Sequence, residues 1–300
     1  MRSCSKISVE LRRARPLLGT FVEIRATAPS TAKAEQAVRA AFASVERVQA
    51  LMSFHDPSSD VSRLNRSPAG CIVPVHAWTH SVLRCAKRLH VATAGLFEIA
   101  TAPALIRGGW LPRPANPLPG PGGNSADIAL LAGNRVRFRR ALLIDLGGIA
   151  KGFAVDQAVA TLRRHGITAG AVNAGGDLRI FGRAREPAHV RGPESPGDFH
   201  FLTTLKNSAL ATSAPYYAAR RIGGRLYAPV IDPRHDRPSR QLLSVTVQAR
   251  TGLLADALCK VVWLAGAVTA APLLRRYRAT AWVMPARRSA PSPNPSLHAA

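Results

Sequence analysis

One stretch, residues 144–159 (IDLGGIAKGFAVDQAV), constrains the fold of this chain more than any other. Apolar residues before Asp145 predict a buried strand, and Gly147 and Gly148 then precede a predicted helix, with Lys151 near its start. Glycines allow close approach to the backbone, a helix N-terminus favours an anion, and a lysine adds a positive charge. The stretch therefore indicates an anion site at a strand-to-helix turn. The alternative is an ordinary glycine turn with a solvated lysine.

A second glycine pair, Gly175 and Gly176, lies between two predicted strands and is flanked by Asn173 and Asp177. Asn and Asp side chains commonly accept hydrogen bonds from nearby backbone amides in such turns. We therefore interpret Asp177 as a turn residue rather than as part of a binding site.

Strand and helix patterns are mixed along the chain. Helices are expected at 31–52, 77–93, 154–164 and 254–264, and strands at 21–25, 142–145, 169–173, 178–181, 226–231 and 242–248. A polar turn is expected at 54–65. Proline and glycine dominate residues 107–125, which indicates an irregular loop or lid rather than a folded module.

Arginine gives the chain a formal net charge of +24, but the arginine pairs are spread over the whole sequence and only 6% of the residues are aromatic. A nucleic-acid groove normally combines a localised basic stripe with stacking rings. We therefore expect no nucleic-acid partner, although an arginine-rich nucleic-acid-binding protein stays open as an alternative function.

The cysteines are widely separated and form no CxxC pair, so they suggest neither a thiolate zinc site nor a disulfide framework. The first residues are basic but contain no apolar run of the kind found in signal peptides. No uncharged apolar stretch is long enough for a membrane span. On these grounds we expect a cytoplasmic protein.

Together, the two glycine stretches resemble the FAD:protein FMN transferases, also called ApbE-type flavin transferases. Other segments fit that family in the same order. Leu18-Gly19-Thr20 is similar to its Met-Gly-Thr opening, residues 52–65 (MSFHDPSSDVSRLN) to its serine-rich loop, and residues 93–105 (TAGLFEIATAPAL) to its Thr-Gly-Gly-x-Phe-Asp segment. Further similar pieces lie at 213–217 (SAPYY), 230–238 (VIDPRHDRP) and 255–260 (ADALCK). The resemblance covers residues 18–266.

This resemblance implies an α+β, ApbE-like flavin-transferase fold with mixed sheets, flanking helices and two interlocked lobes around a central cleft. We expect one domain at 15–284, after a basic N-terminal segment at 1–14 and before a disordered tail at 285–300, which lacks core-forming residues. Members of the family often work outside the cytoplasm, so a periplasmic location is the alternative to a cytoplasmic one.

The implied activity is the transfer of FMN from FAD to a threonine hydroxyl of an acceptor flavoprotein, with release of AMP. Magnesium would polarise the pyrophosphate, since the leaving phosphate gains charge in the transition state. The residues that the resemblance places against FAD are Leu18, His55, Leu96, Phe97, Glu98, Asp145, Lys151 and Val230. The metal would be held by the Gly148 carbonyl, the Asp256 carboxylate and residue 260. Asp256 is also the expected catalytic residue, which would help to activate the hydroxyl.

Several positions depart from the family pattern. Lys260 stands where the family has a metal-binding threonine, and an ammonium group cannot ligate magnesium. Either Lys260 pairs with Asp256 and supplies the positive charge of the ion, or the metal site is lost. Glu98 replaces an aspartate, His55 a tyrosine and Pro229 a histidine. A degenerate homologue that binds FAD without transfer, or hydrolyses it slowly, is therefore the second expected function.

Overall fold

The computed structural model of the chain describes residues 8–114, 117–182, 185–191, 199–214 and 218–285. The strands are β1 (Val9–Leu17), β2 (Thr20–Ala28), β3 (Ile72–Pro74), β4 (Ile128–Leu131), β5 (Arg135–Phe138), β6 (Ala169–Ala174), β7 (Asp177–Phe181), β8 (Glu186–Arg191), β9 (Phe199–Leu205), β10 (Ala209–Ser213), β11 (Arg220–Ile222), β12 (Arg225–Asp232), β13 (Arg237–Ser239), β14 (Leu243–Ala249) and β15 (Thr280–Pro285). The helices are α1 (Thr31–Met52), α2 (Asp60–Arg66), α3 (Ala77–Ala92), α4 (Ala102–Arg107), α5 (Ala150–Arg164), α6 (Gly252–Ala265) and α7 (Ala267–Tyr277).

A seven-stranded antiparallel sheet forms the centre of the fold, with the strand order β1-β2-β6-β7-β10-β14-β15. Strand β2 shows why one face is buried, because Val22, Ile24 and Ala26 are inaccessible while the residues between them are not. The turn between β6 and β7 uses the second glycine pair, in which both glycines have positive φ values.

Helices α1, α5 and α6 lie side by side on one face of this sheet, and α7 packs on α6 and β15. Helix α1 is capped by Ser30, whose hydroxyl accepts the Lys33 N–H, and its buried residues recur at helical spacing. On the opposite face, the hairpin of β8 and β9 contributes Ala188 and Leu205 to a smaller cluster with Ile180 and Leu210. The sheet is therefore covered on both faces.

Two small three-stranded sheets complete the described structure, with the orders β3-β5-β4 and β11-β12-β13. Helix α4 packs on β12 and β13, where Leu105 and Ile231 share an apolar cluster. Among the described residues, no helix combines the length and the apolar character that crossing a membrane requires.

The structure corrects three expectations. Residues 142–145, predicted as a strand, join no sheet, because the Asn65 side chain binds both the N–H and the C=O of Ile144 at 2.8 and 2.9 Å. The polar turn at 54–65 contains most of helix α2, which begins at Asp60 after the N-cap residue Ser59. Helix α5 starts at Ala150, four residues before its predicted start at 154.

The domain boundaries can be compared with the described residues only in part. Strand β1 starts at Val9 and pairs with β2 along its whole length, so the predicted boundary at 15 falls inside a strand. Residues 108–114 and 117–124 of the predicted loop form neither helix nor strand. The predicted tail after Pro285, residues 1–7 and residues 215–217 of the SAPYY piece lie outside the described residues.

Candidate functional site

A cleft of about 780 Å³ lies above the N-terminal end of α5. Its walls are largely apolar and include Trp110 and Leu264, and its floor carries the Asp145 turn. All but one of the predicted site residues line it, namely Leu18, His55, Leu96, Phe97, Glu98, Asp145, Gly148, Lys151, Val230 and Lys260. The exception is Asp256, which is fully buried behind the floor.

Leu18 reaches the cleft from a tight turn between β1 and β2. Leu18 and Gly19 have φ values of 57° and 69°, the left-handed region that a leucine rarely adopts. The Leu18 N–H donates to the Gln49 side chain of α1 at 2.6 Å, which helps to hold this conformation. Unusual backbone of this kind tends to occur where a side chain must be aimed at a ligand.

The opposite wall is formed by an irregularity in β12. Ala228 and Ile231 pair with the consecutive residues Ser239 and Pro238 of β13, so Pro229 and Val230 bulge out of the ladder. A proline has no N–H to donate and is tolerated at such a bulge. The bulge places both residues against the cleft.

The Asp145 turn is held by hydrogen bonds on both sides. The Asp145 N–H donates to the Ile99 carbonyl at 2.8 Å, and the Asp145 carboxylate accepts the Gly147 N–H at 3.0 Å. A Cβ at position 147 would lie 2.9 Å from that carboxylate, so a side chain there would displace the Asp145 carboxylate. Burial raises the pKa of Asp145, while the Gly147 N–H and the nearby His55 act in the opposite direction.

Two lysines and two aspartates form a four-charge cluster under the cleft, made of Lys151, Asp177, Asp256 and Lys260. Lys151 Nζ lies 3.2 Å from Asp177 Oδ2 and 3.6 Å from Asp256 Oδ2. Lys260 Nζ binds Asp256 Oδ1 and, at 3.1 Å, the Asp256 carbonyl. The aspartate side chains are 3% and 1% exposed, whereas those of Lys151 and Lys260 are 32% and 21% exposed. The lysines are therefore the part of the cluster that a ligand can reach.

The pKa values of the cluster differ because its charges are unevenly distributed. Burial and the Asp256 charge raise the pKa of Asp177 to about 6. Burial alone would also raise the pKa of Asp256, but Lys151 and Lys260 lower it to about 2. Burial disfavours the Lys151 ammonium, yet Asp177 and Asp256 raise its pKa overall. At neutral pH both aspartates of the cluster are therefore ionised.

Close contact between α5 and α6 brings the cluster together. A Cβ on Gly152 would lie 2.1 Å from the Gly252 carbonyl oxygen, so the two helices touch through glycine backbone. Asp156 of α5 accepts the N–H groups of Gly252 and Leu253 at 2.8 and 3.0 Å, which fixes the start of α6. One turn further along, the Gly152 N–H donates to Asp256 Oδ2 at 3.1 Å.

Glu98 lines the cleft, but its carboxylate is used inside the protein. Oε1 accepts the N–H groups of Ile99 and Ala100 and the Ser125 hydroxyl, and Oε2 lies 2.8 Å from His90 Nδ1. Glu98 therefore ties the cleft wall to the end of the loop at 108–124.

The sequence interpretation of Asp177 as a turn residue is wrong, because Asn173 accepts the Gly176 N–H at 3.0 Å and Asp177 pairs with Lys151 instead. Trp110 and Trp263 also line the cleft, although neither was predicted from the sequence as a site residue. In the sequence, the only sign of a role for Asp177 is its position directly after a glycine pair, and this position does not identify Lys151 as its partner.

The residues expected to hold magnesium do not fit a divalent ion. The Lys260 ammonium group donates a hydrogen bond to Asp256 Oδ1, and the other carboxylate oxygen accepts the Gly152 N–H. Across the described ranges, no group of three or more His, Cys, Asp or Glu residues is arranged to hold a metal. A magnesium ion here would have to displace an ammonium group and would be repelled by two.

Comparisons with known proteins agree with the geometry. A model of the ApbE family matches residues 18–284. The FAD:protein FMN transferase of Rhodobacter capsulatus is 36% identical over 129 residues, which are 42% of this chain and a quarter (25%) of that protein. The FAD:protein FMN transferase of Vibrio cholerae is 26% identical over 283 residues, or 89% of this chain and 84% of that protein. The solved structure of the ApbE protein from Thermotoga maritima has a TM-score of 0.78 at 26% identity, over 93% of this chain and 97% of that one. The predicted α+β fold is therefore confirmed.

Proposed function

The chain belongs to the ApbE family, and on this basis we propose that it is an FAD:protein FMN transferase. In the proposed reaction, a threonine hydroxyl of an acceptor protein attacks the FMN-side phosphorus of FAD. AMP leaves, and FMN stays linked to the acceptor through a phosphoester. FAD is thus a substrate, and the acceptor protein is the second one.

The observation that supports this proposal most is the contrast between the walls and the floor of the cleft. Its volume of about 780 Å³ lies in the range of cofactor sites. The apolar residues Leu18, Phe97 and Val230 suit the flat flavin ring, while the exposed parts of Lys151 and Lys260 suit the pyrophosphate. The N-terminus of α5 adds a favourable dipole for an anion.

We assign Asp145 as the base that accepts the proton of the attacking threonine hydroxyl. Among the described residues that line the cleft, the only carboxylates are Asp145 and Glu98, and Glu98 is committed to internal hydrogen bonds. Burial raises the pKa of Asp145, which makes it the stronger base. Asp256 is buried and has a lowered pKa, so its role in this proposal is to position the two lysines.

The experiment that tests the function incubates the purified chain with FAD and a candidate acceptor domain that carries the target threonine. We expect the acceptor to gain the mass of FMN minus one water, and an equal amount of AMP to appear. The same domain with its threonine replaced by valine should gain nothing. Release of FMN and AMP without acceptor labelling would instead support slow hydrolysis, and absence of FAD binding would overturn the proposal.

A matched pair of variants links the result to the cleft. Lys151→Met removes an ammonium group from the floor, whereas Lys206→Met removes one from an exposed turn after β9. We expect the first change to weaken FAD binding by about tenfold or more, because one desolvated charge interaction is lost, and the second to leave it unchanged.

A further inference from the structure

Lys260 lies between the two groups, Gly148 and Asp256, that the family resemblance assigns to a metal ion. Its alkyl chain packs against Gly148, where a Cβ would lie 3.4 Å from Lys260 Cε. Its ammonium group binds both the side chain and the backbone carbonyl of Asp256. The Lys260 side chain is therefore in contact with Asp256 and lies next to Gly148, the two other groups expected around magnesium.

Both carboxylate oxygens of Asp256 already have protein partners. Oδ1 binds Lys260, and Oδ2 accepts the Gly152 N–H at 3.1 Å and lies 3.6 Å from Lys151 Nζ. The Asp256 side chain is only 1% exposed, which leaves almost no surface through which a hydrated ion could approach. Magnesium keeps several of its waters and needs nearly ideal octahedral geometry, which this arrangement does not offer.

The four-charge cluster can supply the positive charge that a metal ion would otherwise provide. Its two aspartates hold the lysines in place, and the lysines expose part of their side chains to the cleft. A bound pyrophosphate would thus add negative charge next to two fixed ammonium groups rather than next to buried carboxylates alone. Preorganised cations of this kind stabilise charge that develops in a transition state.

We propose that Lys260, together with Lys151, replaces the divalent cation, so that this chain binds FAD and transfers FMN without metal. This inference rests on the proposed function and specifies the chemistry of the same site. In the step, the acceptor oxygen forms a bond to the FMN-side phosphorus, and the bond from that phosphorus to the bridging oxygen breaks. The electron pair stays on the bridging oxygen, which leaves as part of AMP beside the lysines, and the hydroxyl proton passes to Asp145 and then to solvent.

The test measures metal and FAD binding separately from transfer. Manganese is a paramagnetic probe for a magnesium site, and its binding to the FAD-loaded protein is followed by electron paramagnetic resonance. We expect the wild-type chain to hold no manganese in this site, and its FAD dissociation constant to be the same in EDTA and in excess magnesium. Lys260→Thr should bind manganese and require magnesium for tight FAD binding.

Lys260→Met serves as the second variant, because it keeps most of the alkyl chain over Gly148 but removes the charge. We expect its FAD affinity to fall about tenfold both with and without magnesium. Circular dichroism checks that each variant is folded, and Lys206→Met is the control for loss of a lysine. Stoichiometric manganese binding by the wild-type chain, or loss of FAD binding in EDTA, would overturn the proposal.

These readouts distinguish this inference from the proposed function. If no acceptor is ever labelled under any condition, the transferase assignment fails, while manganese and FAD binding still decide the role of Lys260. If transfer occurs but stops in EDTA and returns with magnesium, the transferase assignment stands and the metal-free site is refuted.

Discussion

At the scale of single residues, the chemistry of the cleft depends on which carboxylates face it and which are covered. Asp145, Asp177 and Asp256 all lie close to the two lysines, yet their pKa values move in different directions because their surroundings differ. Only Asp145 faces the cleft. The other two carboxylates act through the ammonium groups that they hold.

Asp177 gives a pH dependence that can be measured. Its pKa is about 6 in the folded chain and about 3.9 in an unfolded one, so the folded state binds more protons between these values. Its contribution to stability therefore decreases as the pH rises from about 4 to 6. We expect the free energy of unfolding of the wild type, minus that of Asp177→Asn, to fall over this interval. Denaturant unfolding at several pH values measures it, and a difference that rises with pH would contradict the assignment.

Individual site residues could be predicted where a short stretch of sequence carries the signal. The glycine pair before Lys151 indicated an anion site, and the motif resemblance indicated the cleft residues. The partner of Asp177 could not be found in this way, because Lys151 lies on a different element and the pairing depends on how α5 packs against the sheet. The sequence likewise left open whether Lys260 pairs with Asp256, because this depends on where the ammonium group lies in the folded chain.

At the scale of elements, the contact between α5 and α6 determines the floor of the cleft. Gly152 and Gly252 let the backbones touch, and this contact places Asp256 beside Lys151. Any side chain at Gly152 would separate the helices and disturb the four-charge cluster as well as the core.

Gly152→Ala tests this contact. A methyl group 2.1 Å from the Gly252 carbonyl oxygen meets rigid backbone, so we expect the free energy of unfolding to fall by about 3 kcal/mol. FAD affinity should fall as well. Gly120→Ala is the control, because its added methyl group meets nothing within 4 Å and should change stability by less than about 0.5 kcal/mol. Equal stability of the two variants would show that the helices do not touch as described.

The elements themselves were predictable where the side-chain pattern is strong and repeated. Helix α1 matches its predicted range of 31–52, because its apolar stripe continues over many turns. The strand predicted at 142–145 was wrong, since the Asn65 side chain takes the backbone bonds that a neighbouring strand would have supplied. Short strands such as β3 and β11 carry too few residues for a pattern to emerge.

At the scale of the whole molecule, the chain carries a large excess of basic residues, and its cleft is proposed to bind an anionic ligand. The formal net charge of +24 creates a positive field well beyond the lysines of the floor. Such a field accelerates the approach of an anion, and dissolved salt screens it.

The rate of FAD association should therefore depend on ionic strength. Between low salt and about 0.5 M salt we expect the association rate constant to fall on the order of tenfold, with a much smaller change in the dissociation rate constant. Stopped-flow fluorescence of the flavin measures both. A salt effect confined to dissociation would mean that contacts in the cleft, rather than the field of the molecule, dominate.

The overall fold was predictable because eight ordered segments resemble one family, and such an order is far more specific than any single motif. Periodicity alone did not reveal the seven-stranded sheet. Its neighbouring strands β2 and β6 are separated in sequence by five of the seven described helices. No short sequence pattern predicts which strands pair when they are so far apart in the chain.

The residues that line the cleft extend from Leu18 near one end of the described chain to Leu264 near the other. A ligand seated there touches parts that are adjacent only after the entire domain has assembled, so no fragment is expected to retain the pocket. Occupancy and folding are then thermodynamically linked, and each tenfold excess of ligand over its dissociation constant adds about 1.4 kcal/mol to the folded state. A shift in melting temperature thus becomes a direct way to find which molecules this protein accepts.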